Sequence, residues 1–244
     1  MNNIHIPPVV KNLLIINALF FAATLVLENK GIDLSVYLGA FYIDSPYFRI
    51  WQPITYMFMH GGWTHIMFNM FALFSFGSVL ETRWGAKRFI YFYLITGLGA
   101  LALQWAVQAF EVYQIAGTPL AHSVISLSSL EQKLYNTAQF TPGQASTIYN
   151  IYFGPMIGAS GAIFGLLVAF GMLYPNAELY IMFIPVPVKA KYIIPVYILV
   201  ELSLGVASFQ GDSVAHYAHL GGALLGFLLV KFWKEKNTFY DYYD

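Results

Sequence analysis

The sequence predicts an all-α polytopic membrane protein: one bundle of six transmembrane helices occupying residues 1–244, with both termini cytoplasmic. Three observations predict it. Of the 244 residues 58% are hydrophobic and only 10% charged, and the mean hydropathy is +0.61, which is far more apolar than a water-soluble domain. Apolar runs of roughly 20 residues, the length that crosses about 30 Å of hydrocarbon, recur along the chain. Lysine and arginine fall on alternate connections between those runs. The chain has no cysteine, so it offers no disulfide framework, thiol nucleophile or cysteine metal site. Its formal net charge of zero gives no electrostatic case for binding nucleic acid.

The runs lie near residues 10–27, 63–80, 89–110, 157–174, 193–210 and 215–233. The first begins too far into the chain, and continues too long without a small-residue cleavage site, to read as a secretory signal peptide, so it is expected to be a retained span. Residues 28–62 form a long loop that includes most of "YFRIWQPITYMFMHGGW". It is too apolar to float in water and is expected to lie partly in the membrane interface, anchored by Trp51 and its neighbours. The second long loop, 111–156, is polar, and within it Leu127, Leu130 and Leu134 recur at helical spacing and predict a short surface helix. No internal repeat is visible, which argues against a transporter built from inverted halves.

Orientation follows from the cations. Lys11, Arg83, Lys87, Arg88, Lys189, Lys191, Lys231, Lys234 and Lys236 fall on one side, and only Lys30, Arg49 and Lys133 on the other. The first side is therefore expected to be cytoplasmic and the two long loops to be outside.

That topology puts several polar side chains at one depth. The fourth and sixth runs both enter from outside, which places Ser160 about a turn in and His219 at a similar level. The second run has the same direction, with His65 near its start and Asn69 one turn deeper on the same face. Polar groups in the outer third of a bilayer are costly unless they face a cavity or a protein interior, so together they define a candidate site. A serine within hydrogen-bond reach of a histidine is a nucleophile with its general base. His65, Asn69 and the Ser160 backbone N–H are donors suited to a developing oxyanion. The nearest acid to His219 in the sequence is Asp212, in the preceding loop, so a Ser–His dyad rather than a triad is expected. Phe164, one turn beyond Ser160, is placed to stack on the imidazole. Gly161 and Gly165 on the fourth run, and Gly222 and Gly226 on the sixth, form small-residue seams that let helix backbones approach closely.

Three segments, "HGGWTHIMFN" at 60–69, "GASG" at 158–161 and "AHLGGALLG" at 218–226, resemble the signature segments of rhomboid intramembrane serine proteases. The resemblance spans the six-helix core. It implies Ser160 as nucleophile, His219 as base, His65 and Asn69 as oxyanion-hole side chains, and a supporting role for Gly158 within "GASG". "ETRWG" at 81–85 is also similar to a family motif, in which Glu81 and Arg83 read as structural. Two positions depart from the family pattern. Trp51-Gln52 stands where a Trp-Arg pair is often found, so the anchoring charge is either missing or supplied by Arg49. Phe164 stands where many members carry tyrosine, keeping the ring and losing the hydroxyl.

The resemblance implies an endopeptidase that cleaves transmembrane segments near the outer face of a cell membrane, of the bacterial inner-membrane type. Its partners would be membrane-protein substrates with helix-destabilising residues, and lipid. No cofactor, no metal and no nucleic acid is expected. A metal enzyme would have to use His60, His65, His216 and His219, with no H-E-x-x-H motif and no evident carboxylate ligand; His60 and His216 otherwise read as interfacial or supporting residues. Glu201, in the middle of the fifth run, is expected to be a protonated or hydrogen-bonded structural group well below the site, with a proton-relay residue as the alternative. The alternative function is a catalytically inactive rhomboid-like protein that binds membrane clients.

Overall fold

A computed structural model describes residues 6–122, 140–180, 186–207 and 215–233. The surface helix expected around Leu127–Leu134, and Asp212, lie outside the described residues.

The chain begins with helix α1 (Pro8–Glu28), whose proline at the start sacrifices no needed donor. Glu81 satisfies two of the orphan donors there: the N–H groups of Val9 and Val10 donate to its two carboxylate oxygens at 2.9 and 2.7 Å. This gives the acid of "ETRWG" its structural role, while Arg83 lies over the Tyr174 ring. The first long loop contains two short helices, α2 (Ser35–Leu38) and α3 (Gln52–Thr55), and a 3-10 turn at Tyr56–Phe58. Helix α4 (Trp63–Ala72) passes through a π-turn at Leu73–Gly77 into α5 (Ser78–Trp84), giving one apolar rod. Gly85, at φ +78°, turns the chain into the long α6 (Ala86–Ala116). A capping box between Thr141 and Gln144 opens α7 (Pro142–Phe153). Then follow α8 (Ser160–Leu173), an antiparallel hairpin of β1 (Glu178–Tyr180) and β2 (Pro187–Lys189) with Leu179 opposite Val188, α9 (Ala190–Ala207) and α10 (His216–Phe232). The small hairpin corrects the all-α expectation.

Among the described residues four helical stretches are long and apolar enough to cross a membrane: Pro8–Glu28, Trp63–Trp84, Ala86–Ala116 and Ala190–Ala207. Helices α8 and α10 are shorter, at 14 and 17 residues. At 1.5 Å per residue they extend about 21 and 26 Å, less than the roughly 30 Å of a hydrocarbon core. The run predicted from residue 157 begins as a helix only at Ser160, because the residues before it are extended.

Helices α6, α8 and α10 pack against one another at the centre, around Phe92, Tyr93, Leu101, Ala162 and Leu166. Their contact depends on missing side chains. A Cβ at Gly222 would collide with the Gly161 carbonyl, and one at Gly226 would lie 2.7 Å from the Gly165 Cα. The α10 glycines therefore seat directly on the α8 backbone. The α8 pair points elsewhere: a Cβ at Gly161 would run into Ala100, and one at Gly165 would come within 2.7 Å of Thr96, both on α6. The α10 seam thus lies directly on Gly161 and Gly165, while the α8 seam makes room for α6.

The first long loop folds over this core, and within the protein it is held by Gln52. Gln52 is fully buried. Its Oε1 accepts from the N–H of Arg49 at 3.0 Å and of Phe41 at 3.4 Å, and its Nε2 donates to the Tyr47 carbonyl at 3.0 Å. Trp51 is 49% exposed, and its indole Nε1–H donates to the Tyr37 carbonyl. The Arg49 guanidinium is exposed and donates to the carbonyls of Pro46 and Phe48. The neutral amide holds the loop because it supplies both an acceptor and a donor in a dry site, which a guanidinium cannot do.

Candidate active site

The residues before α8 are laid against the first loop like a strand. Ala40 and Met156 exchange two backbone hydrogen bonds at 2.8 Å, and the Gly158 N–H donates to the Tyr56 carbonyl at 2.9 Å. Tyr56 is in turn fixed by its hydroxyl, which donates to the Gly97 carbonyl on α6 at 2.7 Å. Gly158 has φ +129°, a value that side chains disfavour and that keeps the helix from starting earlier. Ser160 is consequently the first residue of α8 rather than a turn inside it. Its hydroxyl lies 2.8 Å from His219 Nε2.

His219 is held on three sides. Phe164 stacks on its ring, with centroids 4.3 Å apart and planes 9° from parallel. Ser160 meets Nε2. On the far side Nδ1 lies 2.8 Å from Glu201 Oε2, and the same oxygen lies 2.7 Å from His216 Nδ1. Glu201 and His216 are both buried. This corrects the sequence reading of Glu201 as a group well below the site, and with it the reading that no acid stands beside His219. Its contacts with His216 and His219 place Glu201 level with the first turn of α10. The sequence held a usable signal: Gly205, four residues on from Glu201 and so on the same face, is where α10 approaches, and a Cβ there would stand 3.2 Å from that of His216.

His65 reaches the serine through Gly158. A Cβ on that glycine would lie 2.8 Å from His65 Nε2 and 3.4 Å from Ser160 Oγ, so the imidazole edge and the hydroxyl flank one α-carbon. The Gly61 N–H donates to His65 Nδ1 at 3.4 Å, which leaves Nε2 as the N–H facing Gly158. His60 packs edge-on to His65, with centroids 5.0 Å apart; burial, with His65 beside it, pushes its pKa down to about 4, so it is neutral at pH 7. Asn69 lies one turn beyond His65 on the same helix and is buried. Ser160, His219, Phe164, His65 and Gly158 therefore form one contiguous group, with Asn69 a turn away.

Glu201 Oε2, His216 Nδ1 and His219 Nδ1 lie within 4.8 Å of one another, a set able to hold a divalent metal. The expectation that a metal set would lack a carboxylate is thereby corrected. Each of these three atoms is also satisfied by the two hydrogen bonds among them.

Fold and site together define a helical membrane protein with a serine–histidine pair at the start of a short central helix. A family model described as the Rhomboid domain matches residues 47–234, and the chain belongs to the rhomboid family. It is similar to an uncharacterized mitochondrial rhomboid protein of Schizosaccharomyces pombe, 25% identical over 215 residues that cover 78% of this chain and 53% of that one. It is similar also to Rhomboid protein 1, mitochondrial, of Saccharomyces cerevisiae, 29% identical over 174 residues covering 70% of this chain and 38% of that one. A third relative is Rhomboid-like protein 11, chloroplastic, of Arabidopsis thaliana, 26% identical over 224 residues covering 89% and 62%. The chain spans about half the length of the curated relatives it matches. The family consists in general of intramembrane serine proteases and also has inactive members. These relatives lend no support to the expected bacterial inner membrane.

Proposed function

We propose that this protein is a serine endopeptidase that cleaves transmembrane segments of other membrane proteins, with Ser160 as nucleophile and His219 as general base. The observation that carries the reading is the 2.8 Å contact between Ser160 Oγ and His219 Nε2, on an imidazole clamped by Phe164. In the proposed reaction Nε2 takes the hydroxyl proton as Oγ attacks the scissile carbonyl carbon. The tetrahedral oxyanion is stabilised by His65, Asn69 and the Ser160 N–H. His219 then returns the proton to the leaving amine, and water releases the acyl group by the same steps. The shortness of α8 suits this chemistry, because a helix of about 21 Å starts below the surface of a normal bilayer and leaves room for water above it.

A substrate helix hides its carbonyls in internal hydrogen bonds, so the proposed substrates are segments that unwind at glycine, proline or polar residues. The proposed topology is six spans in a single domain, with both ends cytoplasmic and the site opening toward the opposite face.

The test uses purified protein in lipid with a panel of single-span substrates. Ser160→Ala and His219→Ala should each abolish cleavage without loss of folding. The double variant should be no worse than either, because residues acting as one unit lose about as much singly as together. A fluorophosphonate should label wild type and not Ser160→Ala; no labelling of a folded wild type would favour an inactive, client-binding member of the family. Cleavage by Ser160→Ala at the wild-type rate would end the serine-protease reading.

A further inference from the structure

We infer that Glu201 is the positioning residue of the site, a third member that sets the tautomer of His219 and supports its charge, and that His216 holds Glu201 in place. The inference rests on the proposed protease reading and deepens it.

His219 can serve as base toward Ser160 only if Nε2 is bare, which requires the ring proton to sit on Nδ1. Nδ1 has one partner, Glu201 Oε2 at 2.8 Å. A carboxylate can only accept, so it selects the Nδ1–H form; a protonated acid donating to Nδ1 would force the proton onto Nε2 and disable the base. The second contact of the same oxygen favours the acceptor form. His216 Nδ1 lies 2.7 Å away, and an ionised oxygen, with its several lone pairs, can accept from both rings at once. When Nε2 takes the serine proton, the imidazolium lies between Phe164 and a negative charge it already touches. No proton passes to Glu201: the Oγ–H bond breaks, the Nε2–H bond forms, and Nδ1–H remains where it was.

The three groups come from two helices, α9 and α10, with Glu201 and His216 buried and His219 partly buried, so their geometry is carried by packing rather than by a loop. Gly205 lets α10 close on α9 at His216, and the Tyr217 hydroxyl donates to the Gly205 carbonyl at 3.1 Å, fixing the register that brings His216 and His219 to one carboxylate.

Glu201→Gln keeps the shape and removes the charge. In the purified full chain in lipid, kcat should fall by roughly 10²–10⁴, with KM within about threefold of wild type if chemistry limits turnover. Fluorophosphonate labelling of Ser160 should slow in proportion, and thermal unfolding should change little. A kcat close to wild type in the folded variant would overturn the inference, as would a loss confined to KM. A measurement on unmutated protein covers the case of a variant that does not fold: with ¹⁵N-labelled histidine at neutral pH, both His219 and His216 should carry their proton on Nδ1. A bare Nδ1 on His219 would overturn the assignment. The two levels separate cleanly. Activity surviving in Ser160→Ala defeats the protease reading itself, whereas a dead Ser160→Ala beside a fully active Glu201→Gln defeats only the role given to Glu201.

Discussion

Two adjacent side chains in the first loop show how far chemistry can be read from residue type alone. Trp51 is large and aromatic, which is why the sequence points to it as anchor, yet it lies half exposed while the neutral Gln52 beside it is fully buried. Removing the Gln52 amide would strand two backbone N–H groups and one carbonyl in a dry site, and a buried unpaired group costs about 1–3 kcal/mol. Gln52→Ala should therefore lower the thermal stability of the purified protein more than Trp51→Ala; the reverse order would mean that interfacial burial of the indole outweighs the hydrogen bonds. The same limit hid Glu201. Residue type marked it as unusual in an apolar helix, but its partner is 18 positions away in sequence, and only helix packing decides which polar group meets which. Ser160, His219, Phe164 and Gly158 were legible because their motifs are specific and each sits within a turn of a helix start.

At the scale of helices, apolar run length placed the start of every span within three residues and the short α10 within one residue at each end. Its largest miss was the end of α6, which runs six residues beyond the expected 110. The start of α8 was misplaced because Gly158 and the backbone bonds to Ala40 and Tyr56 hold an apolar segment extended, and hydropathy carries no record of backbone pairing. Glycine spacing identified the close packing of α8 and α10, but not that the α8 glycines also make room for α6. The contact of Gly222 with the Gly161 carbonyl carries a sharp expectation, because a methyl group there can be accommodated only by moving α10 away from α8, which also draws His219 from Ser160. Gly222→Ala should cost about 1–3 kcal/mol of stability through overpacking and reduce cleavage well beyond what the lost stability explains. Gly143→Ala is the control, since a Cβ there meets open space, and it should leave both quantities near wild type. Equal activity for the two variants would show that the site tolerates separation of the helices.

Across the whole molecule the active-site segment is braced by a surface that sequence reading did not connect. Asp44 in the first loop binds elements distant in sequence: the Tyr152 hydroxyl of α7 donates to it at 2.7 Å, the His122 N–H donates at 3.0 Å, and the His122 ring meets its other oxygen at 2.7 Å. Nearby, the Ser45 hydroxyl donates to the Tyr152 carbonyl at 2.5 Å. Loop one, the segment that follows α6 and α7 are thus clasped together on the side of the fold where the chain descends to Ser160. Burial pushes the Asp44 carboxyl upward, but the hydrogen bonds from Tyr152 and His122 outweigh it and hold its pKa below the ordinary aspartate value. The sign of the pH effect follows. A carboxyl whose folded pKa is depressed adds stability above its unfolded pKa of about 3.9, and that stability is lost as pH falls through the lower, folded value. Asp44→Asn keeps the shape and removes the charge, so at pH 7 it should melt below wild type, with a deficit of about 1–2 kcal/mol for charge-assisted hydrogen bonds made neutral. The deficit should shrink as the pH is taken below about 4, because wild type then protonates its own Asp44 and comes to resemble the variant. The check is thermal unfolding of both proteins in one detergent from neutral pH downward; parallel curves with a constant gap would show that the clasp works through shape alone, and no gap at pH 7 would show that it does not brace the fold.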